Sequence, residues 1–114
     1  MSKDNDVTVG AFVFRPLVDK LYVRQFSGEE FIRWQALSPK VNGSVAEQME
    51  FLATVTEMVL YEIPDGGQPH KIWTKEELPA ILECYPVPFL KRVVVTALDV
   101  SELRSDAGAE LGKQ

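Results

Sequence analysis

The sequence predicts an α+β domain, mostly helical, in which an N-terminal β-hairpin is followed by about four helices. Three observations predict it. Two early segments, 7–14 and 19–26, are rich in β-branched and aromatic residues, which suit a pleated, half-buried surface. Three boxes with Ser or Thr followed three residues later by Glu, at Ser27/Glu30, Ser44/Glu47 and Thr74/Glu77, mark chain turning into helix. In such a box each side chain satisfies an orphan backbone N–H of the other residue. Beyond Pro86 the apolar residues recur at helical spacing, without strand-like alternation. The globular domain is assigned to 7–103, with flexible ends over 1–6 and 104–114.

Each element follows from local chemistry. The first two segments pair as a hairpin, with Leu21, Val23 and Gln25 on one face of the second strand because strand side chains alternate. Proline cannot donate to a ladder, so Arg15-Pro16 reads as turn or edge, with Leu17 and Val18 in the connection. The first box opens a short helix over 28–37. It ends before Pro39, since the residue preceding a proline avoids the α region. Val41-Asn42-Gly43 reads as a loop. The second box opens a helix to about Leu60. Its polar residues Glu47, Glu50, Thr54 and Glu57 fall at spacings of 3, 4 and 3, one narrow stripe read as solvated. Val45, Met49, Phe51, Leu52, Val55, Met58 and Val59 fill most of the remaining circumference. That arc is wider than a surface helix needs, so the helix is either central to the fold or keeps apolar surface for a partner.

Pro64-Asp65-Gly66-Gly67 is the strongest turn signal, and 61–63 and 71–73 on either side are placed to pair briefly. The third box leads to Pro79, whose ring clashes with the carbonyl four residues back inside a helix. Either a new helix starts there or the helix is kinked. Pro86 and Pro88 open the last helix, over 87–103, where a first-turn proline costs little. Leu90, Val93, Val94, Ala97, Leu98 and Val100 form its apolar face.

Composition bounds function. With 114 residues, 46% hydrophobic and 25% charged, the chain has the values of one ordinary globular domain. Seventeen acids against twelve bases give a net charge of −5. That balance argues against nucleic acid, whose binders need a basic footprint, and against an anionic membrane surface. The single cysteine, Cys84, makes no internal disulfide and fits a reducing compartment. The start is polar rather than signal-like, and no apolar run approaches the roughly 20 residues that span a bilayer. A soluble, cytoplasmic protein is expected.

Catalytic chemistry is sparse. His70 is the only histidine and reads as an exposed loop residue; zinc takes three or four ligands. Cys84 as nucleophile would need a base, normally histidine, and reads instead as a buried structural cysteine. Glu29, Glu30, Glu47, Glu76 and Glu77 lie in first turns, where they complement the helix dipole. Asp65-Gly66-Gly67 lacks the phosphate-loop and dinucleotide spacings. Trp34 and Trp73 read as core or core-rim residues, with a partner anchor as the alternative. No cofactor or metal is implied, and the chain reads by elimination as a binding or assembly protein. Met49, Phe51, Val55 and Met58, on the wide arc, are the candidate partner-binding residues, with burial in the core as the competing reading.

The order of segments adds a resemblance. Arg24-Gln25-Phe26-Ser27-Gly28-Glu29-Glu30-Phe31 opens a helix, and a long apolar helix leads to Leu60-Tyr61-Glu62-Ile63-Pro64-Asp65-Gly66-Gly67. Then come Ile72-Trp73-Thr74-Lys75-Glu76-Glu77-Leu78 and a final helix with Leu90-Lys91-Arg92-Val93-Val94-Val95-Thr96-Ala97-Leu98. From about Gln25 to Leu103 this resembles the tail assembly chaperones of long-tailed bacteriophages; Pro79, Pro86 and Pro88 depart from the pattern. The resemblance implies a non-enzymatic protein of the infected host's cytoplasm. It would bind the long helical tape measure protein, keep it soluble until tail tube subunits polymerise around it, and be absent from the finished virion. It also implies a longer form, made by ribosomal frameshifting, that recruits tail tube protein. Gly112-Lys113 permits a GGGAAA-type slippery run, and is the expected slip position. Self-association is a further expected partnership. The rival readings are another small phage tail or head–tail structural protein, and a small enzyme or regulator using Cys84 and His70.

Overall fold

The computed structural model describes residues 5–103. Of these, 56% are helical and 19% extended: an α+β fold in which four helices accompany a five-stranded antiparallel half-barrel sheet whose strands neighbour one another in chain order. The N-terminal hairpin is present, and it is part of a larger sheet than the sequence suggests.

The first expected strand is two. β1 (Val7–Val9) and β2 (Phe12–Val18) pair antiparallel, Val9 opposite Phe12. Gly10 between them has a φ of 61°, a left-handed conformation that glycine adopts without a Cβ penalty. β3 (Leu21–Arg24) follows a turn at Asp19-Lys20, with Asp19 at φ 51°. The reversal therefore lies beyond Leu17 and Val18, not at Arg15-Pro16; Asp tolerates the left-handed region that the turn requires. Pro16 sits within β2 opposite Tyr22, beyond Phe14, where β1 stops. Its missing N–H thus leaves no ladder bond empty, and the register shifts between Pro16 and Val18.

α1 (Gly28–Leu37) starts on the first capping box, with Ser27 N donating to Glu30 Oε1 (2.9 Å) and Glu30 N to Ser27 Oγ (3.1 Å). After Leu37 the chain tightens into a 3₁₀ turn, Ser38–Asn42, around Pro39, where a loop was expected. α2 (Val45–Val59) opens on the second box and runs directly into β4 (Leu60–Glu62), which pairs with β3. The turn at Pro64–Gly67 closes with Gly67 N donating to Pro64 O (2.8 Å), Gly66 at φ 69°. β5 (His70–Lys71) then pairs with β4, the brief pairing that the sequence suggests. The third box forms only a 3₁₀ turn, Lys75–Glu77, and α3 (Leu78–Cys84) starts afresh with Pro79 in its first turn, where the ring meets no earlier helical carbonyl. α4 spans Val87–Val100.

The core lies between helices and sheet, with α2 at its centre. Val23, Val55, Met58, Val59, Leu60, Ile81, Val93 and Ala97 are completely enclosed, and each large side chain so buried contributes roughly 1.5–3 kcal/mol. The sheet is fastened to α4 by polar side chains. Gln25 extends the ladder, accepting from Val13 N (2.8 Å), and donates to Val100 O (3.1 Å). Arg15, only 7% exposed, grips Asp6 through Nε and Nη2 (3.0 and 2.9 Å) and also pairs with Asp99. The ordered domain therefore begins before Val7: Asp6 belongs to it rather than to a flexible terminus.

Candidate functional site

The structure divides the four candidate partner-binding residues. Val55 and Met58 have no exposure at all, so neither can meet a partner while the domain is folded. α2 is central, as one of the two sequence readings had it: α1, α3 and α4 all pack on it. Phe51 is also a core residue. Met49 differs, being half-buried at the edge of the core.

Met49 and Phe51 nevertheless share a groove of about 200 Å³. It lies where the 3₁₀ turn, the first half of α2 and α4 meet, and Val41, Gln48, Leu52 and Lys91 complete its lining. Phe51 and Leu52 form a rigid floor because their other faces are packed in the core. The rim is built from the turn and from α4. Val41 is 49% exposed, and Gln48 is fixed by its amide, which donates to Gly43 O (3.2 Å). Lys91 stands on the exposed side of α4. The result is a mostly apolar depression with a preorganised base, a shape that takes apolar side chains of another molecule.

The polar stripe of α2 is half buried, which corrects the solvated reading. Glu47 and Glu50 are exposed, but Thr54 and Glu57 are enclosed, Glu57 at 4% exposure. Arg33 of α1 lies 3.5 Å from one carboxylate oxygen, and Lys71 of β5 binds the other. Lys71 Nζ donates in addition to the backbone carbonyls of Glu57 and Trp73, so it also satisfies an orphan carbonyl in the last turn of α2. Glu57 and Lys71 border an open cleft of about 440 Å³ with Ile72, Trp73, Thr74, Lys75 and Glu76. All three Lys71 donors have acceptors and both Glu57 oxygens have cations. The charges are spent inside the protein, and the cleft is a clasp that holds β5 and the following segment on α2.

His70 lies on β5, exposed, its Nε2 3.2 Å from Glu62 Oε1. Cys84 ends α3 and is exposed, not buried as its type suggested: α3 turns only Ile81 fully into the core. The two are on different elements, and no hydrogen bond joins them among the described residues. Among those residues no group of three His, Cys, Asp or Glu side chains could hold a metal ion, and no helix is long and apolar enough to cross a membrane.

Both tryptophans are core-rim residues. Trp34 stacks on Phe31 and lies beside Phe26. Trp73 donates through Nε1 to the Tyr85 hydroxyl (3.2 Å), and Tyr85 stacks on Phe89 at 4.6 Å. Burial raises the Tyr85 phenol pKa above its usual value, against the Trp73 hydrogen bond, which lowers it. Burial likewise raises Tyr61, against the neighbouring Arg24 cation. Gly112 and Lys113 lie outside the described residues. Comparison of the chain with protein-family models, with curated proteins and with solved structures found no match.

The groove was partly legible in the sequence, through the wide apolar arc that contains Met49 and Phe51. The contribution of Val41 and Lys91 was not, because it depends on how the 3₁₀ turn and α4 pack against α2. The Glu57 clasp was missed for the same reason. A polar stripe looks solvated until the cations that cover it are brought in from α1 and β5.

Proposed function

We propose that this chain is a tail assembly chaperone of a long-tailed bacteriophage. It binds helical segments of the tape measure protein in the infected host's cytoplasm and keeps them from aggregating until tail tube subunits surround them. It is then released and does not enter the virion. The observation that carries this reading is the apolar groove at Val41, Met49, Phe51, Leu52 and Lys91. A holdase needs an apolar surface that a partner can reach, and an amphipathic helix lays its apolar face into such a groove. Met49 at the edge supplies a flexible, polarisable side chain that adapts to varied partners. The net charge of −5 favours dispersal of the loaded complex. The ordered resemblance from Gln25 to Leu103 supplies the identity of the partner. A longer form made by a slip at Gly112-Lys113 would carry the extension that recruits tail tube protein.

The test is co-expression with a phage tape measure protein, scored by the soluble fraction of that protein. The reading requires a clear rise with the wild-type chain and a smaller one with Met49→Glu. No rise with the folded wild-type chain would refute it.

A further inference from the structure

The groove has a charge as well as a shape, and this sharpens the occupant. In a chain of net charge −5, its lining contains a lysine and no carboxylate. The acids nearest in sequence to Met49 are engaged elsewhere. Glu47 Oε1 accepts from Ser44 N (2.9 Å) in the capping box, and Glu50 Oε1 accepts from Lys40 Nζ (2.9 Å). Arg92, beside Lys91 on α4, reaches back to the Leu17 carbonyl (3.5 Å). The Lys91 side chain is exposed and has no ion pair or hydrogen bond among the described residues. One turn further along α4, Val95 is 49% exposed, so the apolar character continues past the lysine.

We infer that the groove takes an amphipathic helix of a partner protein that carries a carboxylate one turn from its bulky apolar anchor, the carboxylate pairing with Lys91. The inference rests on the chaperone reading for who the partner is, but not for what the groove selects. A Leu or Phe of the incoming helix covers Phe51 and Leu52 between Val41 and Met49. A Glu three or four residues away lies on the same face of that helix and meets the ammonium of Lys91. A Lys at that position would instead place two like charges together at a partly desolvated rim, which discriminates against basic helices.

Two synthetic helical peptides test this directly: an amphipathic Leu-containing sequence with Glu one turn from the central Leu, and the same sequence with Lys there. Titration into isotopically labelled protein gives affinity and location together. The expected result is tighter binding of the acidic peptide by roughly three- to tenfold, the range of a rim ion pair against a like-charge contact. The largest amide shifts should fall on Val41, Met49, Phe51, Leu52 and Lys91. Lys91→Glu, an exposed change that the core does not sense, should invert the preference. Equal affinities for the two peptides, binding by neither, or shifts centred elsewhere would overturn the inference. So would concentration-dependent shifts at the groove without peptide, which would place a second copy of the chain there. Tape measure rescue without peptide discrimination would remove the acidic companion and leave the chaperone reading standing. Discrimination without rescue would do the reverse.

Discussion

Lys71→Met should destabilise the domain by far more than an ordinary surface substitution. Removing one partner of a buried ion pair costs about 3–5 kcal/mol. Two features lower that figure here. The Lys71 side chain is 37% exposed while that of Glu57 is 5% exposed, so solvent screens the attraction from the lysine side. Arg33 also remains 3.5 Å from the other carboxylate oxygen, so the anion is not wholly stranded. One feature raises the figure: the carbonyls of Glu57 and Trp73 lose the same donor. The expected cost is about 2–3 kcal/mol. Glu57→Gln keeps the shape and an acceptor and should cost about 1–2 kcal/mol. The double variant should cost at least about 1 kcal/mol less than the sum of the two, because neutralising Glu57 removes the charge that Lys71→Met strands. Urea unfolding followed by tryptophan fluorescence measures all three, and Trp73 sits in the clasp itself. A Lys71→Met variant within about 0.5 kcal/mol of wild type, or strictly additive costs, would refute the clasp.

Three other predictions follow from single side chains. Thr56 is fully enclosed and its hydroxyl has no hydrogen-bond partner among the described residues, so Thr56→Val should stabilise by about 1 kcal/mol, raising Tm; a lower Tm would mean that the hydroxyl is satisfied. Arg15→Lys should cost about 1–2 kcal/mol, since an ammonium cannot reproduce the two-point grip on Asp6, and Asp6→Ala should destabilise measurably in urea; no effect of either would return residue 6 to a loose terminus. Burial holds the Tyr61 and Tyr85 phenols above their usual value of 10.0. The folded state therefore keeps those protons more tightly than the unfolded state, and this contribution is complete below about pH 10 and lost as pH rises through the folded values. The urea midpoint should fall more steeply above about pH 10 in wild type than in Tyr85→Phe, and parallel pH profiles would contradict it.

Legibility in the sequence followed the range of the interaction. α1 was readable to its ends because Ser27, Glu30 and Pro39 act within a few residues of it. Ser44 and Glu47 marked the start of α2 in the same way. The Thr74/Glu77 box forms as a capping box, but Pro79 two residues later limits it to a 3₁₀ turn, and a new helix, α3, starts there, one of the two outcomes the proline allowed. Gly10 was the available sign that the first segment is two strands, and the Val and Phe residues around it hid that sign. What could not be read was any pairing between distant elements: Arg15 with Asp6 and Asp99, Glu57 with Lys71, Val41 with Met49 and Lys91. The apolar arc of α2 shows the boundary well. Its width left two readings open, a central helix or a surface kept for a partner, and only packing by α1, α3 and α4 separates Val55 and Met58, which are sealed, from Met49, which still reaches a groove.

Hydrogen exchange on this chain, free and mixed with the proposed partner, a phage tape measure protein, tests the account most directly. Binding through the groove predicts slowed exchange in two separated stretches, around Val41–Leu52 and around Lys91–Val95, with the buried Val55–Val59 turn unchanged. A complex that leaves both stretches unprotected, or the failure of the folded chain to form one, would contradict it.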